Sequence, residues 1–140
     1  MTQGYGKARQ REITAAELGV DSVAGDATTT SNWVHCEGFN QASLFIKFVA
    51  SGDAHSVALT FNIEVSNDGG TTAYLLQTSS ISSGVATLST KQYSVDTDNA
   101  NLNYVVDFPL NYEMFRIKSI AVATGHANDK ITASVNLGKI

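Results

Sequence analysis

The stretch Val57-Ala58-Leu59-Thr60-Phe61-Asn62-Ile63-Glu64-Val65 decides the fold class. Its odd-numbered positions are apolar, and the residues between them are small or polar. A period of two puts these sets on opposite faces of a β-strand. Ser66-Asn67-Asp68-Gly69-Gly70-Thr71-Thr72 follows, a run of residues suited to a tight turn. Then comes a second apolar run, Ala73 to Leu76. Strand, turn, strand predicts a β-hairpin with one face in water.

The same style extends in both directions. Asn32 to Cys36 reads as a strand with Val34 and Cys36 on one face, Trp33 and His35 on the other. In Ala42 to Ala50, Leu44, Ile46 and Phe48 alternate with Phe45, Lys47 and Val49. Tyr74 to Thr78, Ala86 to Tyr93, Asn101 to Phe108, Phe115 to Ala123 and Lys130 to Leu137 bring the total to about eight strands. Phe115, Ile117, Ser119 and Ala121 are expected on one face, with Met114, Arg116, Lys118, Ile120 and Val122 opposite. In the last strand Ile131, Ala133, Val135 and Leu137 share a face. Short strands linked by Gly/Asn/Asp/Ser clusters, without helices between them, indicate an all-β fold. The expectation is a β-sandwich of jelly-roll or related Greek-key topology.

Residues 1–30 read differently, as an extended N-terminal arm before a sandwich domain at 31–140. Glu12 to Val20 supports one short helix, with Thr14 as N-cap and Glu17 three residues on, the spacing of a capping box. Asp26 to Ser31 reads as a polar connector. Lys7, Arg9 and Arg11 make the first eleven residues +3, whereas the remainder holds 6 basic and 13 acidic residues, a formal charge of −7. A basic arm on an acidic body suits an acidic protein surface or nucleic acid; the alternative is a solvated, frayed terminus. The acidic body repels phosphate, and no platform of basic and aromatic residues is visible, so nucleic acid is not an expected partner.

Charged residues make up 16% of the chain, below a typical ~25%. Ser, Thr, Asn and Gly take their place, as suits flat polar faces that meet other protein. The single Pro109 leaves most strands without a proline to protect an edge. Cys36 stands alone, so no intrachain disulfide is expected. No secretory signal is recognisable at the N-terminus, and no run approaches the ~20 apolar residues of a membrane helix. Synthesis and folding in a reducing cytoplasm are expected.

Catalytic and metal chemistry find little footing. Asp96-Thr97-Asp98-Asn99-Ala100-Asn101 spaces oxygen ligands as calcium loops do. Asn101 stands where an EF-hand needs glycine, however, and no glutamate closes the loop, so a solvated acidic loop is the simpler reading. His35, Cys36, His55 and His126 lack ligand spacing, and no nucleophile elbow or phosphate loop occurs. The expectation is a non-enzyme without cofactors. Trp33, Tyr74, Tyr93, Tyr104 and Tyr112 are candidate interface aromatics, because amphipathic rings favour interfaces; the same rings would also suit a sugar-binding platform.

Two resemblances follow. Ser66, Asp68, Gly70 and Thr72 fall in the register of the Asp-box of sialidase-like propellers, with Ala73 replacing its aromatic; in those enzymes the box is a structural turn. The chain also resembles small tailed-phage structural proteins, in particular head decoration (cement) proteins with a β-sandwich body. The carriers are Asn32-Trp33-Val34, the Phe61 to Gly70 hairpin, and Phe115-Arg116-Ile117 before a last polar hairpin. That resemblance implies a virion location, a homo-oligomer (often a trimer), and the major capsid protein and further copies of the chain as partners. It also implies an arm in which Lys7, Arg9 and Arg11 dock on neighbours. The alternatives are a tail or neck component, or a carbohydrate-binding or adhesin module.

Overall fold

The computed structural model describes residues 9–51, 58–97, 100–122 and 126–139. Twelve strands and one short helix follow in chain order: β1 (Arg9–Ile13), α1 (Ala15–Leu18), β2 (Val23–Ala24), β3 (Val34–His35), β4 (Gln41–Val49), β5 (Ala58–Ser66), β6 (Tyr74–Leu75), β7 (Gln77–Ser82), β8 (Val85–Thr90), β9 (Gln92–Asp96), β10 (Leu102–Pro109), β11 (Met114–Val122) and β12 (Lys130–Lys139). One sheet runs β1-β12-β4-β10, with β2 continuing the β1 edge of β12. The other runs β3-β11-β5, with β6 and β9 paired in tandem along the free edge of β5. All pairs are antiparallel. Taken as β1-β12-β4-β10 facing β3-β11-β5-β9, this is the strand order of a jelly roll.

The strands expected from the sequence correspond to β3 through β12, with β6–β7 and β8–β9 each read as one; among the described residues the count is corrected to twelve by those two divisions and by β1 and β2, which lie in the expected arm. β2 and β6 are two-residue edge pieces. β7 and β8 form a separate two-stranded sheet. The expected strands Tyr74 to Thr78 and Ala86 to Tyr93 each divide in two, because β6 and β9 stay on β5 while β7 and β8 leave it.

The alternation in β4 and β12 is as expected. Leu44, Ile46 and Phe48 are buried, as are Ile131, Ala133, Val135 and Leu137, while Phe45 and Val49 face outward. They meet Leu59, Phe61 and Ile63 of β5 and Phe115 and Ile117 of β11 in one core. Phe108 and Phe115 cross the gap between the sheets edge to face, with centroids 5.2 Å apart. Each such fully buried side chain contributes roughly 1.5–3 kcal/mol.

Two face assignments need correction. In β11 the register shifts between Lys118 and Ala121, and Ser119 adopts φ 54°. This bulge inserts one residue and reverses the alternation, so Ile120 and Val122 join Phe115 and Ile117 in the core. The expected wet face of β5 is only partly wet, with Ala58, Thr60 and Asn62 half-buried. Glu64 and Ser66 are both buried, for reasons given by the groups around them below. Val57 lies outside the described residues.

From Arg9 onward the expected arm is part of the body. Arg9 to Ile13 pair along β12 from Lys139 to Val135. The expected capping box closes α1: Glu17 N–H donates to Thr14 Oγ1 at 3.2 Å, and Thr14 N–H donates to Glu17 Oε1 at 3.1 Å. Leu18 and Val20 are fully buried. The connector before β3 runs beside β11, with Thr29 bridged to Ile120 and Ser31 N–H donating to the Ile117 carbonyl at 2.9 Å. Its polar composition hides this pairing, in which Ser31 Oγ also accepts from Ile117 N–H at 2.9 Å.

Candidate functional site

On the outer face of β11 and β5, Glu64 accepts a hydrogen bond from Arg116 Nε at 2.8 Å, and Lys118 Nζ lies 3.7 Å from its other oxygen. These positions are cross-strand neighbours: Arg116 pairs with Glu64, and Lys118 with Asn62. Two cations thus compensate a carboxylate that burial alone would penalise. The Arg116 guanidinium also lies 4.4 Å from the centre of the Trp33 ring. Gly70 abuts the same ring from the turn: a Cβ there would come within 2.9 Å of Trp33 Nε1. Trp33 is consequently half-buried against its own chain.

The turn itself is closed by its own side chains. Ser66 Oγ donates to Asp68 Oδ1 at 2.8 Å, Thr72 N–H donates to the same oxygen at 2.8 Å, and Gly70 N–H donates to Ser66 Oγ at 3.0 Å. Hydrogen bonds from the Thr72 side chain, then from its backbone N–H, then from Ser66 hold the Asp68 carboxyl down at about 2. Glu113 fastens the turn to the segment before β11, accepting from Gly69 N–H at 2.9 Å. The Asp-box register is therefore a structural turn here.

The other aromatics do not converge on one platform. Tyr93 stacks on Phe61 with centroids 4.9 Å apart. Tyr104 and Tyr112 are half-buried against the core and donate to the Asp96 and Pro109 carbonyls at 3.2 and 3.3 Å. Tyr74 is the exposed one, at 61%. Of the basic residues, Arg11 pairs with Glu37 of the same chain and Arg9 is a strand residue of β1, while Lys7 lies outside the described residues.

His35 and His126 are exposed; His55 and Asp98 lie outside the described residues. Among the described residues no three His, Cys, Asp or Glu side chains are grouped to hold a metal, and no described helix is long and apolar enough to cross a membrane. An open depression of about 540 Å³ is lined by Cys36, Phe39, Tyr112 and Glu113, among others. Desolvation pushes the Cys36 thiol up to about 11 and the Tyr112 phenol up to about 12. Both are therefore neutral at pH 7 and poor nucleophiles.

Two surfaces are built differently from the rest. Residues 69–90 contain no charged side chain, and within them every residue of β7 and β8 is exposed. The second is the outer face of β4 and β10, where exposed Phe45 lies opposite exposed Val105. Reading the strands one by one missed both, along with the Glu64 cluster. The signal for the hairpin was the length of the uncharged run. Compared with known proteins, the chain matches no protein-family model and no curated protein.

Proposed function

We propose that the chain is a virion structural protein of a tailed phage, decorating and stabilising the capsid by bridging neighbouring subunits. It would act as a homo-oligomer, with a trimer favoured, without cofactor or catalysis. The observation that carries this reading is the pairing of a rigid jelly-roll body with two exposed, apolar surfaces poor in charge. Such surfaces on a small acidic protein suit permanent contact with other protein. Many weak contacts repeated over a lattice would add up through multivalency.

Native mass in solution, by light scattering behind a sizing column, tests the reading first. A compact trimer supports decoration. Rings or long polymers favour a tail or neck component, and a monomer sends the search to glycans. The role of the basic arm has to be tested on residues 1–8 alone, because a cut at residue 30 would remove β1, α1 and β2 from the body. If the arm docks on capsid, the chain lacking residues 1–8 stays folded and loses particle binding; undiminished binding would remove the arm from the proposal.

A further inference from the structure

On the outer face of β5 and β11, Lys118, Asn62 and Glu64 bring together an amine, a carboxamide and a carboxylate. Lys118 stands directly opposite Asn62 in the register, and Arg116 stands opposite Glu64 two residues along. Side chains opposed in this way start about 4.5–5.5 Å apart at Cβ, within the length of a lysine. Lys118 Nζ lies 3.7 Å from Glu64 Oε2. The other Glu64 oxygen, Oε1, is taken by Arg116 Nε at 2.8 Å, which leaves Oε2 to Lys118. Glu64 is almost fully buried, whereas the Lys118 side chain keeps 39% of its exposure.

Asn62 is the unusual member of the three. Its Oδ1 is buried and accepts no hydrogen bond, although buried acceptors in folded proteins nearly always find a donor. The residue is an amide on a half-buried sheet face, and its register partner is a lysine whose amine faces a carboxylate. An amine beside a positioned base is the arrangement that activates a lysine as a nucleophile.

We propose that Lys118 and Asn62 join in an intramolecular isopeptide bond, with Glu64 as the general base. Glu64 takes a proton from the Lys118 ammonium, and the freed Nζ lone pair attacks Asn62 Cγ. The Nζ–Cγ bond forms. A second proton from Nζ passes to the amide nitrogen, and the Cγ–Nδ2 bond breaks with its electron pair on nitrogen. Ammonia leaves, takes the first proton from Glu64 and departs as ammonium through the exposed side of Lys118. Glu64 ends as the carboxylate it was, and no oxidant, metal or cofactor enters. The new bond ties β5 to β11, neighbours inside their sheet, and it closes the chain covalently between residues 62 and 118. A cross-link of that kind restricts the unfolded state. The inference does not rest on the virion reading.

Intact mass of the full chain, followed by tryptic mapping, tests it. The expected mass is lower than that of the sequence by one ammonia. An acylated Lys118 resists trypsin, so residues 117–130 should be recovered joined to residues 48–91. Lys118→Arg keeps a cation beside Glu64 but removes the nucleophile, and Asn62→Ala removes the electrophile. Both should show the full mass of their sequences, as should Glu64→Gln, with circular dichroism and Trp33 fluorescence checking that each is folded. A wild type of full mass, with no joined peptide, overturns the bond. So does an ammonia lost within one unjoined peptide, which is a succinimide, or the loss of water instead, which is a Lys118–Glu64 amide. A folded Glu64→Gln that still cross-links at the wild-type rate overturns the role of Glu64 as base.

Discussion

Arg116 holds its guanidinium 4.4 Å from the centre of the Trp33 ring while its Nε donates to Glu64 at 2.8 Å. One side chain thus joins β5, β11 and the residue just before β3 on the face that alternation alone would leave to water. Arg116→Ala removes a cation–π contact of about 0.5–2 kcal/mol. It also leaves Glu64 with only Lys118, at 3.7 Å. Breaking a buried pair costs about 3–5 kcal/mol, and with Lys118 offsetting part of it we expect a net loss of about 2–4 kcal/mol. Urea unfolding followed by Trp33, the single tryptophan, measures it; an unchanged midpoint would contradict the role given to Arg116.

Gly69 and Gly70 both have positive φ, 71° and 89°, but only Gly70 faces an obstacle. An added Cβ at Gly69 meets nothing within 4 Å, whereas at Gly70 it meets the Trp33 ring. Gly69→Ala should cost about 1–2 kcal/mol for backbone strain alone. Gly70→Ala should cost more, by about 1–3 kcal/mol of overpacking. Equal losses in thermal unfolding would mean that the ring yields freely.

Asp68 sets an acid limit. Its folded pKa, about 2, lies below the ordinary 3.8. The contribution of the turn is therefore fully present above pH 3.8 and is lost as pH falls toward 2. The melting temperature should decline more steeply between pH 4 and pH 2 in the wild type than in Asp68→Asn. Parallel curves would show that the turn's hydrogen bonds to this carboxylate contribute nothing to folding.

The strand pattern made the core legible because β4 and β12 each keep a strict period of two along their length. β11 was not legible, since nothing in Met114 to Val122 announces that Ser119 bulges and turns Ile120 inward. The same limit applied at the N-terminus. Within Asp26 to Ser31 the Thr30 and Ser31 hydroxyls accept from β11 backbone N–H groups, and polarity of that kind looks the same as solvation. Of the candidate site residues, Trp33 was recognisable as an amphipathic ring, but its occupation by Arg116 and Gly70 depends on residues far away in sequence. The exposed hairpin left the clearest trace, the absence of charge from residue 69 to 90.

Cys36 is buried to 4% exposure, and its thiol is pushed from 9.0 up to about 11 by desolvation. Two units lower the thiolate fraction about 100-fold near pH 8. A disulfide exchange reagent should therefore label the native protein at least that much more slowly than the protein in urea. Rapid labelling of the native form would show that the loops over Cys36 open readily.

Binding to capsid is the central claim, and sedimentation of the chain with shells assembled from the major capsid protein of the same virus tests it most directly. The account predicts saturable co-pelleting at a fixed ratio to capsid subunits, and shells that resist heat or denaturant better when occupied. A chain that stays in the supernatant at every ratio, leaving shell stability unchanged, would contradict it.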